Sequence, residues 1–316
     1  MTKIYTREQM QGAVEKIDVV AAMEEAFQAY SNGQMVVSPP GEMAFKNPVG
    51  SLKLTYGYLK SDPYYLVKTD ASFPGNEKKK LPISSGMATL NNRETGEVMA
   101  VFLDGGYLTA VRTAAAGAVA AKYLGPKQVK RIGIFGTGVQ ARMQLETLRR
   151  VTDCREVMVF GRTAESRQAF IDAMTPLGFH IEGTEYESDV AESCNLIVTA
   201  TPSQMPLLTA DQIRPGTHIT AVGATTPQKI ELAPLILKNA DIVVVDSLEE
   251  SKKRGEAFHA VQTGLLKQSA LLELGKVIAN PAKGRKTEEE VTVVDLAGLP
   301  AQDMQIAKVL HAALSA

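Results

Sequence analysis

Gly136, Gly138 and Ala141, within Gly136-Thr-Gly-Val-Gln-Ala141, are spaced as G-x-G-x-x-A. That spacing suits the capture of a pyrophosphate. Gly136 permits the tight turn. Gly138 lets the backbone come close to the phosphates, which then sit on the free N–H groups of a helix start. Ala141 lets helix and strand pack closely. The pattern is weak alone, and its context strengthens it. Val129-Lys-Arg-Ile-Gly-Ile-Phe135 reads as a strand before it, Val139–Val151 as a helix after it, and Glu156-Val-Met-Val-Phe160 as the next strand. Strand, glycine turn, helix and strand make a dinucleotide-binding unit.

The tip of the second strand bears on the choice of cofactor. An NAD site usually places Asp or Glu there for the ribose hydroxyls. This chain has Gly161-Arg162-Thr163, followed by Arg167, and no carboxylate at the tip. A guanidinium binds a 2′-phosphate that an acid would repel. Arg162, Thr163 and Arg167 therefore favour NADP(H). If Arg162 only stacks on adenine, NAD(H) serves as well.

These groups need a larger frame. The 316 residues point to two domains. Hydrophobic residues at 45%, charged residues at 22% and a net charge of -1 fit a soluble globular chain, with no basic excess for nucleic acid. Two cysteines, Cys154 and Cys194, suggest neither a disulfide framework nor a zinc site and fit a reducing compartment. His180, His259 and His311 form no metal pattern. His218 is expected to be hydrogen-bonded within a sheet rather than to donate a proton. No apolar run approaches a membrane span or a signal sequence, so a cytoplasmic protein is expected.

In chain order, Thr6 can cap a helix from Arg7, and Ile17–Tyr30 has helical periodicity. Ser38-Pro39-Pro40-Gly41 ends that region. Short alternating runs follow at 51–56, 64–69, 86–90 and 98–103, with Asn91–Gly96 as a hairpin turn. They predict a mainly antiparallel sheet. Thr109–Leu124 is an alanine-rich helix. Beyond the first nucleotide unit, strands are expected at 178–182, 196–201, 217–223, 242–246 and 291–295. Helical segments are expected at 209–213, 230–238 and 249–262, with Asp189 capping another short helix. Asn280–Glu290 reads as an exposed charged loop, and Gln302–Ala313 as a final helix. Alternating strands and helices imply a parallel sheet.

Several of these segments together resemble the ornithine cyclodeaminase/mu-crystallin family over nearly the whole chain. They are Lys68-Thr-Asp-Ala-Ser-Phe-Pro-Gly-Asn76, Glu94-Thr-Gly96, Leu103–Ala115, Gly136–Gln140, Pro215–Ala224, Glu231-Leu232 and Asp295–Asp303. The resemblance implies an α/β fold in two parts. Residues 1–124, completed by 296–316, would be a mainly antiparallel α+β domain for substrate binding and homodimerisation. Residues 125–295 would be a Rossmann-type parallel sheet domain. It implies an NAD(P)H-dependent oxidoreductase that reduces a 2-imino acid to an amino acid, or the reverse. The alternatives within the resemblance are ornithine cyclodeamination, reduction of a dicarboxylic imine such as iminosuccinate, and a non-catalytic crystallin-like dinucleotide-binding protein.

By the same resemblance Lys68 is the catalytic lysine and Arg112 the catalytic clamp on the substrate carboxylate. A guanidinium can grip a carboxylate with two bonds. Arg112 in a structural ion pair, with Asp104 as its partner, is the alternative. Partial burial of Lys68 would lower its pKa and suit it to protonate an imine product. Gly136, Thr137, Gly138, Val139 and Gln140 would hold the dinucleotide, with Thr201, Pro202, Val222 and Gly223 after later strands. Gly298, Gln302 and Asp303 match the family's last motif. Two departures stand out. Ornithine-cyclising members carry an Asp where this chain has Thr225. An acid for ornithine's side-chain amine is replaced near Lys53, and the second carboxylate-binding arginine expected near Pro39-Pro40-Gly41 is absent. Lys53 is thus a candidate for the substrate site, as is Thr225, and a solvated Lys53 is the other reading. No metal and no nucleic-acid or membrane partner is expected.

Overall fold

The computed structural model describes residues 1–39 and 41–315. The chain forms two compact units, one of Met1–Arg112 with the segment from Leu299 onward, the other of Thr113–Gly298.

In the first unit, β1 (Lys3–Thr6) leads into α1 (Arg7–Val14). The Thr6 hydroxyl accepts from Gln9 N, and the Gln9 side chain accepts in return from Thr6 N. Asp18 accepts from the N–H groups of Val20 and Ala21 and so starts α2 at Val19–Ser31, later than Ile17. Strands β2 (Met35–Val37), β3 (Gly41–Lys46), β4 (Val49–Leu59), β5 (Tyr64–Ser72), β6 (Ser84–Asn92) and β7 (Val98–Leu103) follow. The sheet order is β1-β7-β6-β5-β4-β2, with β3 also on β4. Only the β1–β7 pair is parallel. The β6–β7 turn is made by Asn92, whose side chain accepts from Glu94 N and Thr95 N, and by Gly96 at φ +74°. The C-terminal helix Pro300–Ser315 packs on α1 and α2 and against β4, β5 and β6. The covered face includes Leu66, Lys68, Ala88, Leu90 and Phe102, all buried.

Helix α3 (Tyr107–Leu124) starts with Asp104 accepting from Leu108 N. It crosses the unit boundary between Arg112 and Thr113, earlier than the expected boundary at Leu124. The cause is local to its second half. Thr113 O accepts from Gln144 Nε2, the Gln144 side chain lies so close that a Cβ on Gly117 would collide with it, and Leu124 O accepts from Thr292 and Arg285.

The second unit holds β8 (Ile132–Phe135), α4 (Val139–Leu148), β9 (Glu156–Phe160), α5 (Ala164–Met174), β10 (His180–Thr184), α6 (Glu187–Ser193), β11 (Leu196–Thr199) and β12 (His218–Ala221). It continues with α7 (Pro234–Asn239), β13 (Ile242–Val245), α8 (Glu256–Gln262), β14 (Leu272–Glu273), α9 (Leu274–Ala279) and β15 (Thr292–Asp295). The sheet is parallel throughout, in the order β10-β9-β8-β11-β12-β15-β13-β14. This is the expected doubly wound architecture. The strands are buried apolar runs, as required when helices cover both faces.

Three details differ from expectation. Asp189 lies inside α6 and accepts from the Thr184 hydroxyl instead of capping the helix. The 280–290 segment is not wholly exposed, because the Arg285 side chain turns inward onto the carbonyls of Leu124, Thr217 and Glu290. Helix α9 and strand β14 have no counterpart among the sequence expectations. His218 is bonded within the sheet as expected, between the hydroxyls of Thr292 and Thr220. Burial pushes its pKa down to about 3, so it stays neutral.

Candidate active site

Each unit gathers polar groups of its own. In the second, β8 runs into Gly136 at φ +107°, where a Cβ would stand 2.8 Å from Ala200 O. Only glycine takes that backbone without strain. Gly138 is the N-cap of α4, with no side-chain cap and no atom within 4 Å of where a Cβ would be. The first-turn N–H groups of α4 are thus left for an anion. Ala141 is fully buried, Val139 is exposed, and Gln140 Nε2 is buried without a hydrogen-bond partner. The cradle fits a dinucleotide pyrophosphate.

At the tip of β9 the three candidate residues divide. The Thr163 hydroxyl accepts from Ser166 N and caps α5. Arg167 donates to Gly161 O at 2.7 Å and pairs with Glu185 at 3.9 Å, so it braces the strand tip. Arg162 is the exposed cation.

The turns after β11 and β12 are held by one carboxylate. Glu231, fully buried, accepts from Thr201 N at 2.6 Å, the Thr199 hydroxyl at 2.8 Å and Gly223 N at 2.9 Å. Thr201 and Gly223 are thereby brought to one side chain. Glu256 in turn accepts from the N–H groups of Glu231 and Leu232, and Asp295 from Ala257 N. Burial raises all three carboxyls: Glu231 upward, Glu256 well above its usual range with Asp295 repelling it, and Asp295 to about 7. No pattern in the sequence marks Glu256 for this work, and Glu231 and Asp295 stood out only within the Glu231-Leu232 and Asp295–Asp303 matches.

In the first unit, β5 presents Lys68 on its buried face beside Leu66. Lys68 Nζ donates to Thr109 Oγ1 at 2.5 Å and Asp303 Oδ1 at 3.0 Å, and pairs with Asp70 Oδ2 at 3.2 Å. Three oxygens, two of them carboxylate, form the coordination shell of an ammonium. The desolvation expected for a buried lysine is thus met by charge. Arg112, one turn along α3 from Thr109, donates Nε to the same Asp303 oxygen at 3.2 Å and Nη1 to Gln302 Oε1 at 3.0 Å. Gln302 is fixed in turn by Leu299 N. The ion-pair partner of Arg112 is Asp303 and not Asp104. Asp104 is occupied at the start of α3, and burial raises its carboxyl. Burial pushes Asp303 up as well, but Lys68 and Arg112 more than offset it and hold its carboxyl below the usual aspartate range.

Lys53 lies in β4, two residues from Thr55. Thr55 is the register partner of Lys68. Side chains alternate along a strand, so Lys53 and Lys68 share one face. Lys53 stands opposite Asp70 on β5 and Glu42 on β3. Thr225 belongs to the second unit, is exposed, and accepts from Lys229 at 3.3 Å. Pro40, in the segment where a second arginine was expected, lies outside the described residues. Among the described residues no group of three or more His, Cys, Asp or Glu could hold a metal ion, and no helix is long and apolar enough to cross a membrane.

The chain is similar to known proteins along nearly its whole length. A sequence profile of the ornithine cyclodeaminase/mu-crystallin family matches residues 2–316. The alanine dehydrogenase of Archaeoglobus fulgidus is 38% identical over 311 residues, which cover 98% of this chain and 94% of that one. The solved structure of an archaeal alanine dehydrogenase dimer with bound NAD superposes with a TM-score of 0.90 at 36% identity, over 99% of this chain and 95% of that one. The Thermococcus litoralis Δ1-pyrroline-2-carboxylate reductase, in complex with NADH and L-proline, gives a TM-score of 0.90 at 28% identity, over 98% and 97%.

Proposed function

This chain belongs to the ornithine cyclodeaminase/mu-crystallin family, and from that premise we propose that it is an NAD(P)H-dependent oxidoreductase that reduces a 2-imino acid to an amino acid, or runs the reverse. The observation that carries the reading is the buried cluster in which one Asp303 oxygen holds both Lys68 and Arg112. When bound, the nicotinamide supplies or accepts the hydride. The protein's part is orientation and proton management. The Arg112 guanidinium, braced through Nε and Nη1, keeps Nη2 for the substrate carboxylate and so orients the α-carbon. Lys68 gives a proton to the amine nitrogen as the iminium is reduced, and takes one back in the oxidative direction.

The test is oxidation of NADPH and NADH, followed by absorbance, across 2-oxo acids with ammonia or methylamine, pyrroline-2-carboxylate, and oxaloacetate with ammonia. Oxidation that requires an imine supports the reading; none with any imine, with the dinucleotide bound, removes it. A dicarboxylic imine is the second reading, carried by Lys53 on the Lys68 face, and preference for oxaloacetate with ammonia would establish it. Ornithine cyclisation is disfavoured by Thr225, whose hydroxyl cannot serve as the carboxylate base.

The cofactor reading favours NADP(H), with NAD(H) accepted. Its support is the exposed Arg162 and the absence of a carboxylate at the strand tip. Arg162→Ala is expected to lower kcat/KM with NADPH by roughly 10- to 100-fold, the worth of one charge-assisted bond, and to leave NADH nearly unchanged. Equal values for the two cofactors before and after substitution would remove the preference.

Assembly as a homodimer is supported by the sheet face opposite Lys68. By register, Ile4, Met43, Met87 and Leu103 lie on it, 62%, 56%, 43% and 50% exposed. Exposed apolar groups gathered on one face mark an interface. Met87→Lys with Leu103→Lys is expected to give a monomer by light scattering, while a dimer in the double variant would place the interface elsewhere. The two free thiols, Cys154 and Cys194, fit a reducing, cytoplasmic setting.

A further inference from the structure

Lys68 is held by two carboxylates whose exposures differ. The Asp303 side chain is 9% exposed and also serves Arg112, whereas the Asp70 side chain is 38% exposed and meets Lys68 from the solvent side of the cluster. Thr109, the third acceptor, is a hydroxyl with no carboxylate's capacity to carry a proton at neutral pH. A buried ammonium that gives up its proton each turnover must regain one, and of the two carboxylates that touch Lys68 among the described residues Asp70 is much the more exposed.

We propose that Asp70 is the positioning residue that returns the proton to Lys68, passing it between bulk solvent and Nζ, while Asp303 fixes the geometry. The inference rests on the reading of Lys68 as the proton donor. In the reductive direction the Lys68 ammonium breaks one N–H bond and the product nitrogen gains that proton, leaving Lys68 as the neutral amine. A solvent or buffer acid then protonates the Asp70 carboxylate, and Asp70 passes that proton to Nζ and is again a carboxylate. The turnover consumes one proton from solution, as reduction of an iminium to an ammonium by the reduced nicotinamide requires. In the oxidative direction each transfer reverses.

Two features of the sheet support the assignment. Gly86, the register partner of Asp70 on β6, has no side chain, and a Cβ there would lie 3.4 Å from Asp70 Oδ1 and would collide with Thr69 O. The neighbouring strand therefore leaves the carboxylate uncovered. On the other side Asp70 stands in register with Lys53. That register puts Lys53 and Lys68 on one sheet face with Asp70.

The experiment compares Asp70→Asn, nearly isosteric on a half-exposed strand position, with wild type and with Lys68→Met, on an imine that the wild type reduces. In rapid mixing, Asp70→Asn is expected to oxidise about one equivalent of reduced nicotinamide per site at the wild-type rate, since the first proton does not have to pass through Asp70. Its steady-state kcat should then fall about 10- to 100-fold and rise with the concentration of a small buffer acid such as imidazolium. Asp70→Glu should recover most of kcat without buffer. A steady state for Asp70→Asn equal to wild type and indifferent to buffer would overturn the relay and leave the role of Lys68 standing. Loss of the first turnover in Asp70→Asn would also overturn it, since Asp70 would then be needed to place Lys68. Wild-type turnover by Lys68→Met would remove the underlying reading, and the relay with it.

Discussion

Lys68→Met is expected to lower kcat for imine reduction by about 10²- to 10⁴-fold, the range for loss of a positioned general acid. Methionine keeps the length and most of the volume of the stem, so Leu66 and its neighbours stay packed. Asp303 retains Arg112, which leaves no buried carboxylate unpaired. Thermal unfolding should therefore change little and dinucleotide affinity not at all. The loss should appear in kcat, with KM for the imine near its wild-type value, because the proton moves during the reaction and not on binding. An unchanged kcat would withdraw Lys68 from the chemistry and leave it a structural cation of the C-terminal helix.

Arg112→Ala should act on the other half of the substrate. The carboxylate would lose its clamp, and kcat/KM should fall by on the order of 2–4 kcal/mol, roughly 30- to 1,000-fold. Here KM should rise, since the carboxylate is gripped in the ground state and the transition state alike. Arg112→Lys should recover little. A single ammonium cannot bond Asp303 and Gln302 as Nε and Nη1 do and still present a further nitrogen. Wild-type kcat/KM in Arg112→Ala would show that the Arg112–Asp303 pair is structural only.

The phosphate cradle and Lys68 were legible for reasons that differ in kind. The glycine turn announces itself because a positive φ and the close approach of Ala200 O demand glycine at 136. The inward facing of Lys68 follows from alternation, since Tyr64, Leu66 and Lys68 share a strand face. What holds these groups was less legible. Asp303 meets Arg112 across a sequence separation of 191 residues, and no local pattern links the two. The nearer acid, Asp104, was the natural partner by sequence and proved to be spent on starting a helix. Glu256 and Asp295 accept from backbone N–H groups, which every residue carries, so their partners leave no trace in composition. Strand β3 was not singled out within the alternating region, because it is short and all its residues but Phe45 are exposed. Arg167 matched the residue type wanted at a phosphate, and only the structure shows its guanidinium committed to Gly161.

The cluster also has a consequence for how the protein is made. Asp303 and Gln302 sit on the helix Pro300–Ser315, so they leave the ribosome after Lys68, Arg112 and the whole parallel sheet. A nascent polypeptide that has completed the glycine cradle and its parallel sheet still has Lys68 and Arg112 without the anion that joins them. Until Asp303 arrives, Arg112 on α3 lacks its carboxylate partner and Lys68 on β5 has Asp70 alone. Translation order thus places the joining of Lys68 to Arg112 after synthesis of the whole parallel sheet.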